Sequence, residues 1–277
     1  MAESEVSQLP PNLIPRGQVL AVPMKRSADP ERRNIWEKVH LMWSMIAEQF
    51  VERADWFVKC DDDTFLFVEN LRKYVQFMNP MIPRYLGHTL LFRWERDNIV
   101  FNAGSSVVLS KEAVKRLGPK LRSMPTHRAG SRDTCADRDQ AGEDTNLGIC
   151  LRTLGINPES SLDEQGRERF LLFPEHGYYG IVRDNEKSWY WKLKPQITGQ
   201  GRNCCVEHLI SAHGYKKAKS DSQFDKLYQK FLNTMNETAE LPPVPRLFLF
   251  DEDLLPFKID EFRNVIPMPS HHYLELD

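Results

Sequence analysis

Apolar residues recur every three or four positions after Asp29-Pro30, and this spacing predicts an amphipathic helix. Asp is a favoured N-cap and Pro is favoured at the first helical position, so the pair is a typical helix start. The predicted apolar face consists of Ile35, Val39, Met42, Ile46 and Phe50. An aromatic and β-branched run at 56–58 follows, and it predicts a short buried strand.

Further along the chain, the same patterns predict alternating helices and strands. We predict strands at 85–87 and 106–109, and a charged loop rich in small residues at 128–142. The predicted helices are 68–77, a helix capped by Ser110 that ends near Gly118, and a helix that starts near Glu143 and ends before Gly155. Strands that alternate with helices favour an α/β sandwich.

Three adjacent acids, Asp61, Asp62 and Asp63, directly follow the strand predicted at 56–58. In open α/β sheets, the carboxyl ends of strands border the ligand crevice. Neighbouring carboxylates repel each other unless they share a cation, and Mg²⁺ or Mn²⁺ prefers oxygen ligands and keeps phosphate oxygens beside them. We therefore favour a metal held between the protein and a phosphorylated substrate, with a solvated acidic turn as the alternative.

Two further polar motifs have both a structural and a functional interpretation. Glu143-Asp144 opens a predicted helix, where acids are favoured by the helix dipole, but Asp144 would also suit a general base near a metal. His213 follows an apolar run and is either a structural histidine or a metal ligand facing Asp63. Its imidazole would favour Mn²⁺ over Mg²⁺.

Two other segments suggest sugar or ligand contacts. The small residues of Asn102-Ala103-Gly104-Ser105-Ser106 are expected to precede a strand, where they would form a turn or let the backbone approach a ligand. The aromatic side chains of Ser188-Trp189-Tyr190-Trp191 are either packing residues or a platform for a pyranose ring.

The composition excludes some function classes. The chain has 277 residues, a formal net charge of −2 and 41% hydrophobic residues, with a pI near 6.5. A general nucleic-acid binder would be basic, so we expect no nucleic-acid partner. The apolar runs are too short for a membrane span, and residues 1–11 lack the apolar core of a signal peptide, so the chain by itself is expected to be soluble and without a secretory address.

The cysteines leave the redox compartment open. Five cysteines allow at most two intrachain disulfides with one thiol left over. Disulfides would indicate an oxidising compartment, and spacing alone does not distinguish them from buried thiols.

A set of motifs in a fixed order resembles glycosyltransferase family 31, most of all the animal core 1 β1,3-galactosyltransferases. The set covers roughly residues 20–230 and consists of Ala54-Asp55-Trp56-Phe57-Val58-Lys59-Cys60-Asp61-Asp62-Asp63-Thr64, Val108-Leu109-Ser110-Lys111-Glu112-Ala113, Glu143-Asp144 ahead of Leu147-Gly148 and Cys150, Phe173-Pro174-Glu175-His176, Trp189-Tyr190-Trp191, and Cys204-Cys205 before Ser211-Ala212-His213. One such match would be weak evidence, whereas the ordered set is specific.

The resemblance implies a GT-A-type α/β fold, in which helices flank a Rossmann-like mixed sheet. It implies inverting transfer from UDP-galactose, with Mn²⁺ as cofactor, to the 3-hydroxyl of N-acetylgalactosamine on a glycoprotein. It also implies a location in the Golgi lumen or membrane, and it leaves a homodimer open.

The resemblance also assigns roles to individual residues. Asp61, Asp63 and His213 match the family's metal ligands, and Asp144 matches its general base. Asp61, Asp62 and Gly104 are expected on the donor side; Glu143, Trp189 and Tyr190 are expected on the acceptor side. By the same likeness, Cys135 pairs with Cys150, and the vicinal cysteines Cys204 and Cys205 are oxidised.

The chain departs from the family pattern in its N-terminal part. We expect a tail at 1–19, an incomplete GT-A-like domain at 20–235 and a Pro-containing extension at 236–277. The family's membrane anchor, stem and first nucleotide-binding strand have no counterpart in this sequence. The alternative function is therefore an inactive relative or fragment that acts as a binding or folding partner.

A third interpretation, a haloacid-dehalogenase-type phosphohydrolase, does not fit the sequence. That motif needs Asp-x-Asp-x-Thr, and Phe65 holds the Thr position here.

Overall fold

A computed structural model describes eleven parts of the chain: residues 22, 24, 35–61, 63–94, 97–125, 134–137, 142–178, 189–196, 198–214, 257–259 and 265–267. The predicted tail 1–19, the helix start Asp29-Pro30, most of the predicted loop 128–142 and most of the extension 236–277 lie outside them.

Helices and strands alternate over the described residues, as the sequence predicts. The α-helices are α1 (Ile35–Gln49), α2 (Val68–Val75), α3 (Lys111–Arg122), α4 (Glu143–Arg152), α5 (Glu175–Tyr178) and α6 (Trp189–Leu193). Two 3₁₀ turns span Val51–Arg53 and Gly201–Asn203. The strands are β1 (Trp56–Cys60), β2 (Phe65–Leu66), β3 (Tyr85–Trp94), β4 (Asp97–Ser110), β5 (Phe170–Leu171), β6 (Ser211–Ala212), β7 (Phe257–Ile259) and β8 (Val265–Pro267).

The strands form one antiparallel sheet, one small mixed sheet and one two-stranded ladder. The largest sheet has the order β1-β4-β3, and both of its pairings are antiparallel. In the second sheet, of order β2-β6-β5, β6 runs antiparallel to β2 and parallel to β5. The α/β class is confirmed, and among the described strands parallel and antiparallel pairings occur together only in this second sheet.

Two predicted strands are much longer in the structure. β3 continues past 87 to Trp94, and β4 begins at Asp97 rather than near 106. The segment Asn102–Ser106 therefore lies inside β4, and the prediction that it precedes the strand is wrong. The reason is the long antiparallel pairing, in which Thr89 opposes Asn102 and their side chains form a 3.0 Å hydrogen bond.

Helix α3 starts as predicted but does not stop at Gly118. The Ser110 side chain accepts a hydrogen bond from the backbone N–H of Ala113, which confirms the predicted cap. The helix continues through Pro119 to Arg122. A Cβ at Gly118 would lie 2.4 Å from the Cβ of Ala47, so this glycine permits a close helix contact with α1 rather than ending α3.

Alternate residues of β4 face different apolar clusters on the two sides of the sheet. Val107 and Leu109 pack with the apolar faces of α1, α3 and α4. Val108 packs on the opposite side with Leu86, the buried face of α2 and Phe170 of β5. Because side chains alternate along a strand, one face of the sheet packs against α1, α3 and α4. The other face packs against α2 and the second sheet.

Both disulfides expected from the family resemblance are present. Cys135 bonds Cys150 of α4, Cys204 bonds its neighbour Cys205, and Cys60 is the free cysteine. The first bond ties residues 134–137 to α4, and the Trp36 indole donates a 2.9 Å hydrogen bond to the carbonyl of Ala136. The disulfide and this hydrogen bond together hold residues 134–137 against the main apolar core.

Replacing Cys150 with Ala should lower the free energy of unfolding by about 3 kcal/mol, because the disulfide closes a loop of about 15 residues. Urea unfolding of the wild type and the variant under non-reducing conditions measures this. Cys60→Ala, which removes a thiol but no cross-link, is the control. Equal stability of the Cys150 variant and the wild type would contradict the structural role.

A group of ionisable side chains is buried between β3 and the residues that flank β5 and α6. His88, Glu168 and Lys194 are each at most 1% exposed. Lys194 Nζ lies 2.7 Å from Glu168 Oε1, and His88 Nδ1 lies 2.7 Å from the carbonyl oxygen of Phe170. Burial, and next the nearby Lys194 charge, lower the pKa of His88 to about 4, so the imidazole is neutral at pH 7.

The pH dependence of stability follows from this buried neutral histidine. Between pH 6.5 and pH 4 the unfolded chain binds a proton at His88 that the folded chain excludes, so stability falls as pH falls. The stability difference between the wild type and His88→Gln should shrink by about 3 kcal/mol from pH 7 to pH 4. Urea unfolding of both chains at several pH values measures this difference. A difference that is constant with pH would exclude a neutral buried His88.

Candidate metal and nucleotide-sugar site

Two short strands bring the acidic motif and the late histidine together. Asp63 lies just before β2, and His213 directly follows β6. β2 and β6 pair antiparallel with Phe65 opposite Ala212, and the backbone N–H of Gly214 donates a 3.1 Å hydrogen bond to the carbonyl of Asp63. The strand ends therefore hold Asp63 and His213 side by side, as the sequence interpretation expected.

Three side chains at this place form a set that fits one metal ion. One ligand atom from each of Asp61, Asp63 and His213 lies within 4.8 Å of the others. His213 Nε2 is 3.2 Å from Asp63 Oδ1 and 3.9 Å from Asp61 Oδ2. Asp63 is buried, whereas the side chains of Asp61 and His213 are about one quarter to one third exposed. The group is thus anchored on one side and open on the other.

The orientation of His213 also fits a metal ligand. Its Nδ1 lies 3.0 Å from the carbonyl oxygen of Leu172, so Nδ1 carries the proton and donates. In the neutral ring, Nε2 then presents its lone pair toward Asp61 and Asp63. A lone pair facing two carboxylates is favourable only with a shared cation or an added proton. A hydrogen bond from Nδ1 to a backbone carbonyl is the usual contact that orients a metal-bound imidazole.

Lys59 connects the metal group to the acids of helix α4. Its Nζ lies 2.9 Å from Asp61 Oδ1 and 3.7 Å from Asp144 Oδ1, and it donates a hydrogen bond to Glu143. Burial favours the neutral amine, but the carboxylates of Glu143, Asp144 and Asp61 outweigh it and hold the Lys59 pKa above its ordinary value. Lys59 is therefore a fixed cation between Asp61 and the two acids of α4.

The two acids of α4 differ in their surroundings. Burial, reinforced by the neighbouring Asp144, raises the pKa of Glu143 to about 8, and the Lys59 charge opposes this rise. Glu143 faces Lys59 in the interior, whereas the Asp144 side chain is 22% exposed. Of the two carboxyl groups, Asp144 is the better placed to meet a hydroxyl from solvent.

Two glycines allow helix α4 to approach the metal group. The N–H of Gly104 donates a 2.9 Å hydrogen bond to Asp144 Oδ2. Gly104 has φ of +69°, and a Cβ there would lie 2.3 Å from Leu172 Cδ1 and 3.7 Å from His213 Nδ1. A Cβ at Gly148 of α4 would lie 2.6 Å from the Cβ of Phe101 in β4. A side chain at Gly104 would clash with Leu172, whose carbonyl holds the His213 ring, and one at Gly148 would clash with Phe101 where α4 packs on β4.

The aromatic residues of α6 pack beside Phe173, which directly follows Leu172 in the chain. Trp189 is 51% exposed, and its ring contacts Phe173 edge to face with 5.7 Å between centroids. Tyr190 is buried, and its hydroxyl lies 3.4 Å from Glu168 Oε1. Trp189 therefore presents a ring to solvent while Tyr190 packs behind it.

Sequence reasoning found most of this site and missed two parts of it. Asp62, expected on the donor side, lies outside the described residues. Lys59 was not selected, although a lysine inside an otherwise apolar strand signals a buried charge partner. The carbonyl of Leu172 carries no sequence signal. Cys60 beside the acids is half-buried, and burial raises the pKa of its thiol to about 11, so it remains protonated.

Two named proteins are similar to this chain, one over part of it and the other over nearly all of it. Glycoprotein-N-acetylgalactosamine 3-beta-galactosyltransferase 1 of Xenopus laevis is 28% identical over 165 residues, which cover 59% of this chain and 42% of the relative. Human chondroitin sulfate synthase 3 is 24% identical over 285 residues, which cover 97% of this chain and 29% of the relative.

The chain thus spans less than half the length of these relatives. Over its described residues, no helix combines the length and apolar character needed to cross a bilayer.

The family itself is shown by a match over the N-terminal half of the chain. The model of the Fringe-like family matches residues 24–163. This stretch contains β1, the acids Asp61 and Asp63, the long hairpin strands β3 and β4, and the Glu143-Asp144 start of α4. The predicted resemblance to glycosyltransferase family 31 is confirmed, and the chain belongs to the Fringe-like family.

Proposed function

We propose that the chain is an inverting, metal-dependent hexosyltransferase that transfers galactose from UDP-galactose to the 3-hydroxyl of O-linked N-acetylgalactosamine on glycoproteins. The observation that supports this most is the convergence of Asp61, Asp63 and His213 on one point, with Asp144 linked to it through Lys59 and Gly104. The named galactosyltransferase relative supports the choice of sugar and acceptor. A Golgi location goes with this proposal.

The donor would lie against the open side of the metal group. Asp61, Asp63 and His213 would hold Mn²⁺, because two carboxylates and one imidazole suit that ion better than Mg²⁺. When bound, the metal would neutralise the charge that builds up on the departing diphosphate. Asp62 and Gly104 are the further residues that we assign to the donor side.

The acceptor would enter beside Asp144. Asp144 accepts the proton of the 3-hydroxyl, the new bond forms between that oxygen and the anomeric carbon, and the bond from the anomeric carbon to the diphosphate breaks. A single displacement of this kind inverts the anomeric configuration from α to β. Trp189 offers its exposed ring to the acceptor sugar, Tyr190 supports it from behind, and Glu143 fixes Lys59 next to the base.

Replacing Asp63 with Ala should weaken Mn²⁺ binding about 100-fold or more, since even outer-sphere partners of a metal contribute 10–100-fold. Mn²⁺-dependent UDP binding and sugar transfer should be lost together. Calorimetric titration with UDP, with and without Mn²⁺, measures the first, and transfer to a GalNAc-peptide measures the second. Asp55→Ala removes an exposed carboxylate from the same segment and is the matched control. Unchanged metal dependence in the Asp63 variant would refute the assigned metal group.

Replacing Asp144 with Asn should leave Mn²⁺-dependent UDP binding intact and lower turnover about 10²–10⁴-fold, because the amide keeps the shape but cannot accept a proton. Calorimetry and initial rates at saturating donor and acceptor separate the two effects. Asp55→Asn makes the same chemical change at an exposed site and should leave turnover unchanged. Wild-type turnover in Asp144→Asn would mean that another group is the base.

A comparison of donors separates the proposed function from its rivals. The wild-type chain is offered UDP-galactose, UDP-N-acetylgalactosamine and UDP-glucuronic acid, with a GalNAc-peptide or a chondroitin oligosaccharide as acceptor. Transfer of galactose to the peptide supports the proposal. Transfer only to the oligosaccharide would favour the activity suggested by the name of the second relative. UDP binding without transfer would favour the non-catalytic alternative.

A further inference from the structure

The charge cluster of His88, Glu168 and Lys194 forms a closed set of contacts in the interior. Lys194 Nζ donates to Glu168 Oε1 at 2.7 Å and to the carbonyl of Thr89 at 3.0 Å, and it lies 3.5 Å from His88 Nε2. Since His88 Nδ1 faces the carbonyl of Phe170, Nε2 is the acceptor on the side of Lys194. Glu168 Oε2 is 3.5 Å from His88 Nδ1.

Such a cluster is a poor means of adding stability alone. Removing two full charges from water costs several kcal/mol, and apolar residues of similar volume are often as stabilising. Burial lowers the pKa of Lys194, and the Glu168 carboxylate opposes this by favouring the ammonium form. An ion pair fixes the distance and direction between the two chain segments that it joins. Apolar packing does not fix them in this way.

The first of these segments runs from Glu168 to Phe173 and reaches both parts of the candidate site. The carbonyl of Leu171 accepts a 3.1 Å hydrogen bond from the backbone N–H of His213, and the carbonyl of Leu172 holds the His213 ring. The next residue, Phe173, packs against the exposed Trp189. A shift of Trp189 relative to this segment would therefore change the position of the exposed ring relative to the metal-site histidine.

The second segment is helix α6, which contains Trp189 and ends at Leu193, one residue before Lys194. Lys194 therefore fixes the end of the helix that presents Trp189. Tyr190 adds a second link, because its hydroxyl lies 3.4 Å from Glu168 Oε1 on the same carboxylate that Lys194 binds. Glu168 thus holds α6 at two points.

We propose that Glu168 and Lys194, oriented by His88, are positioning residues that set the exposed Trp189 ring at a fixed place relative to the His213 site, and so determine where an acceptor sugar lies. This rests on the proposed function, because it takes the ligand of Trp189 to be a sugar acceptor. None of the three side chains touches substrate, since each is at most 1% exposed.

The test replaces the pair with neutral residues of similar size, as Glu168→Gln with Lys194→Met in one chain. Either change alone would leave one charge buried without its partner, so the double variant is the one expected to fold. We expect the acceptor KM to rise about tenfold, since small misplacements of bound groups are costly. The donor KM and Mn²⁺ affinity should stay within about twofold, because the pairing of β6 with β2 and β5 and the carbonyls of Leu171 and Leu172 still hold His213 in the variant.

The half-buried ion pair between Arg84 and Glu159 provides the matched control. Arg84→Met with Glu159→Gln removes the same two charges from a pair whose backbone groups bond Ser110 and Tyr85, and it should leave both KM values unchanged. Equal changes of donor and acceptor KM in the Glu168 and Lys194 variant, or no change in either, would overturn the positioning role and leave a purely structural one.

A readout without catalysis keeps this test separate from the test of function. Acrylamide quenching of Trp189 fluorescence is obtained as the difference between each chain and the same chain with Trp189→Phe. The double variant should show stronger quenching of Trp189, because its ring no longer packs at a fixed position against Phe173. If the wild type transfers no sugar, the proposed function fails, and the quenching still decides the positioning. Unchanged quenching overturns it.

Discussion

The pairing of β2 with β6 is the contact on which the candidate site depends. These strands have two residues each, yet they join the acids that follow β1 to a histidine from the far end of the described domain. Without that pairing, Asp61 and Asp63 would be an acidic turn with no softer ligand. Since β6 also runs parallel to β5, the same strand aligns the His213 backbone with Leu171 and its ring with Leu172.

Close packing of backbone segments is the second constraint. Gly148 brings α4 against β4, and Gly104 brings β4 against Leu172 and His213. The two contacts in series place the Asp144 carboxylate on the N–H of Gly104, beside the metal group. Gly104 lies within the long strand β4 with a positive φ, a conformation that glycine adopts without steric cost. The geometry of the candidate site therefore depends on the absence of side chains at Gly104 and Gly148.

Local signals in the sequence predict the four longer helices, parts of β1, β3 and β4, and most of the chemical groups, but not the two-residue strands β2, β5 and β6. The acids after an apolar strand, the Ser110 cap and the helix that opens with Glu143-Asp144 can each be read from a few neighbouring residues. The extent of β3 and β4 could not be read this way, because it depends on pairing between distant residues such as Tyr85 and Leu109. The Glu168 and Lys194 contact was hidden for the same reason. Residue chemistry and the family resemblance both predict a metal site at the acids and His213, and in the structure the side chains of Asp61, Asp63 and His213 lie together.

The charges of the site balance only when a cation is added. Lys59 contributes one positive charge and lies within reach of Asp61, Glu143 and Asp144. The formal charge of Lys59 together with Asp61, Asp63 and Asp144 is minus two, before any contribution from Glu143. One divalent metal would neutralise that group, and it would also offset negative charge on a departing diphosphate. Lys59 therefore reduces the repulsion between Asp144 and the carboxylates of Asp61 and Asp63. The proposed donor site and the proposed base can then lie close together.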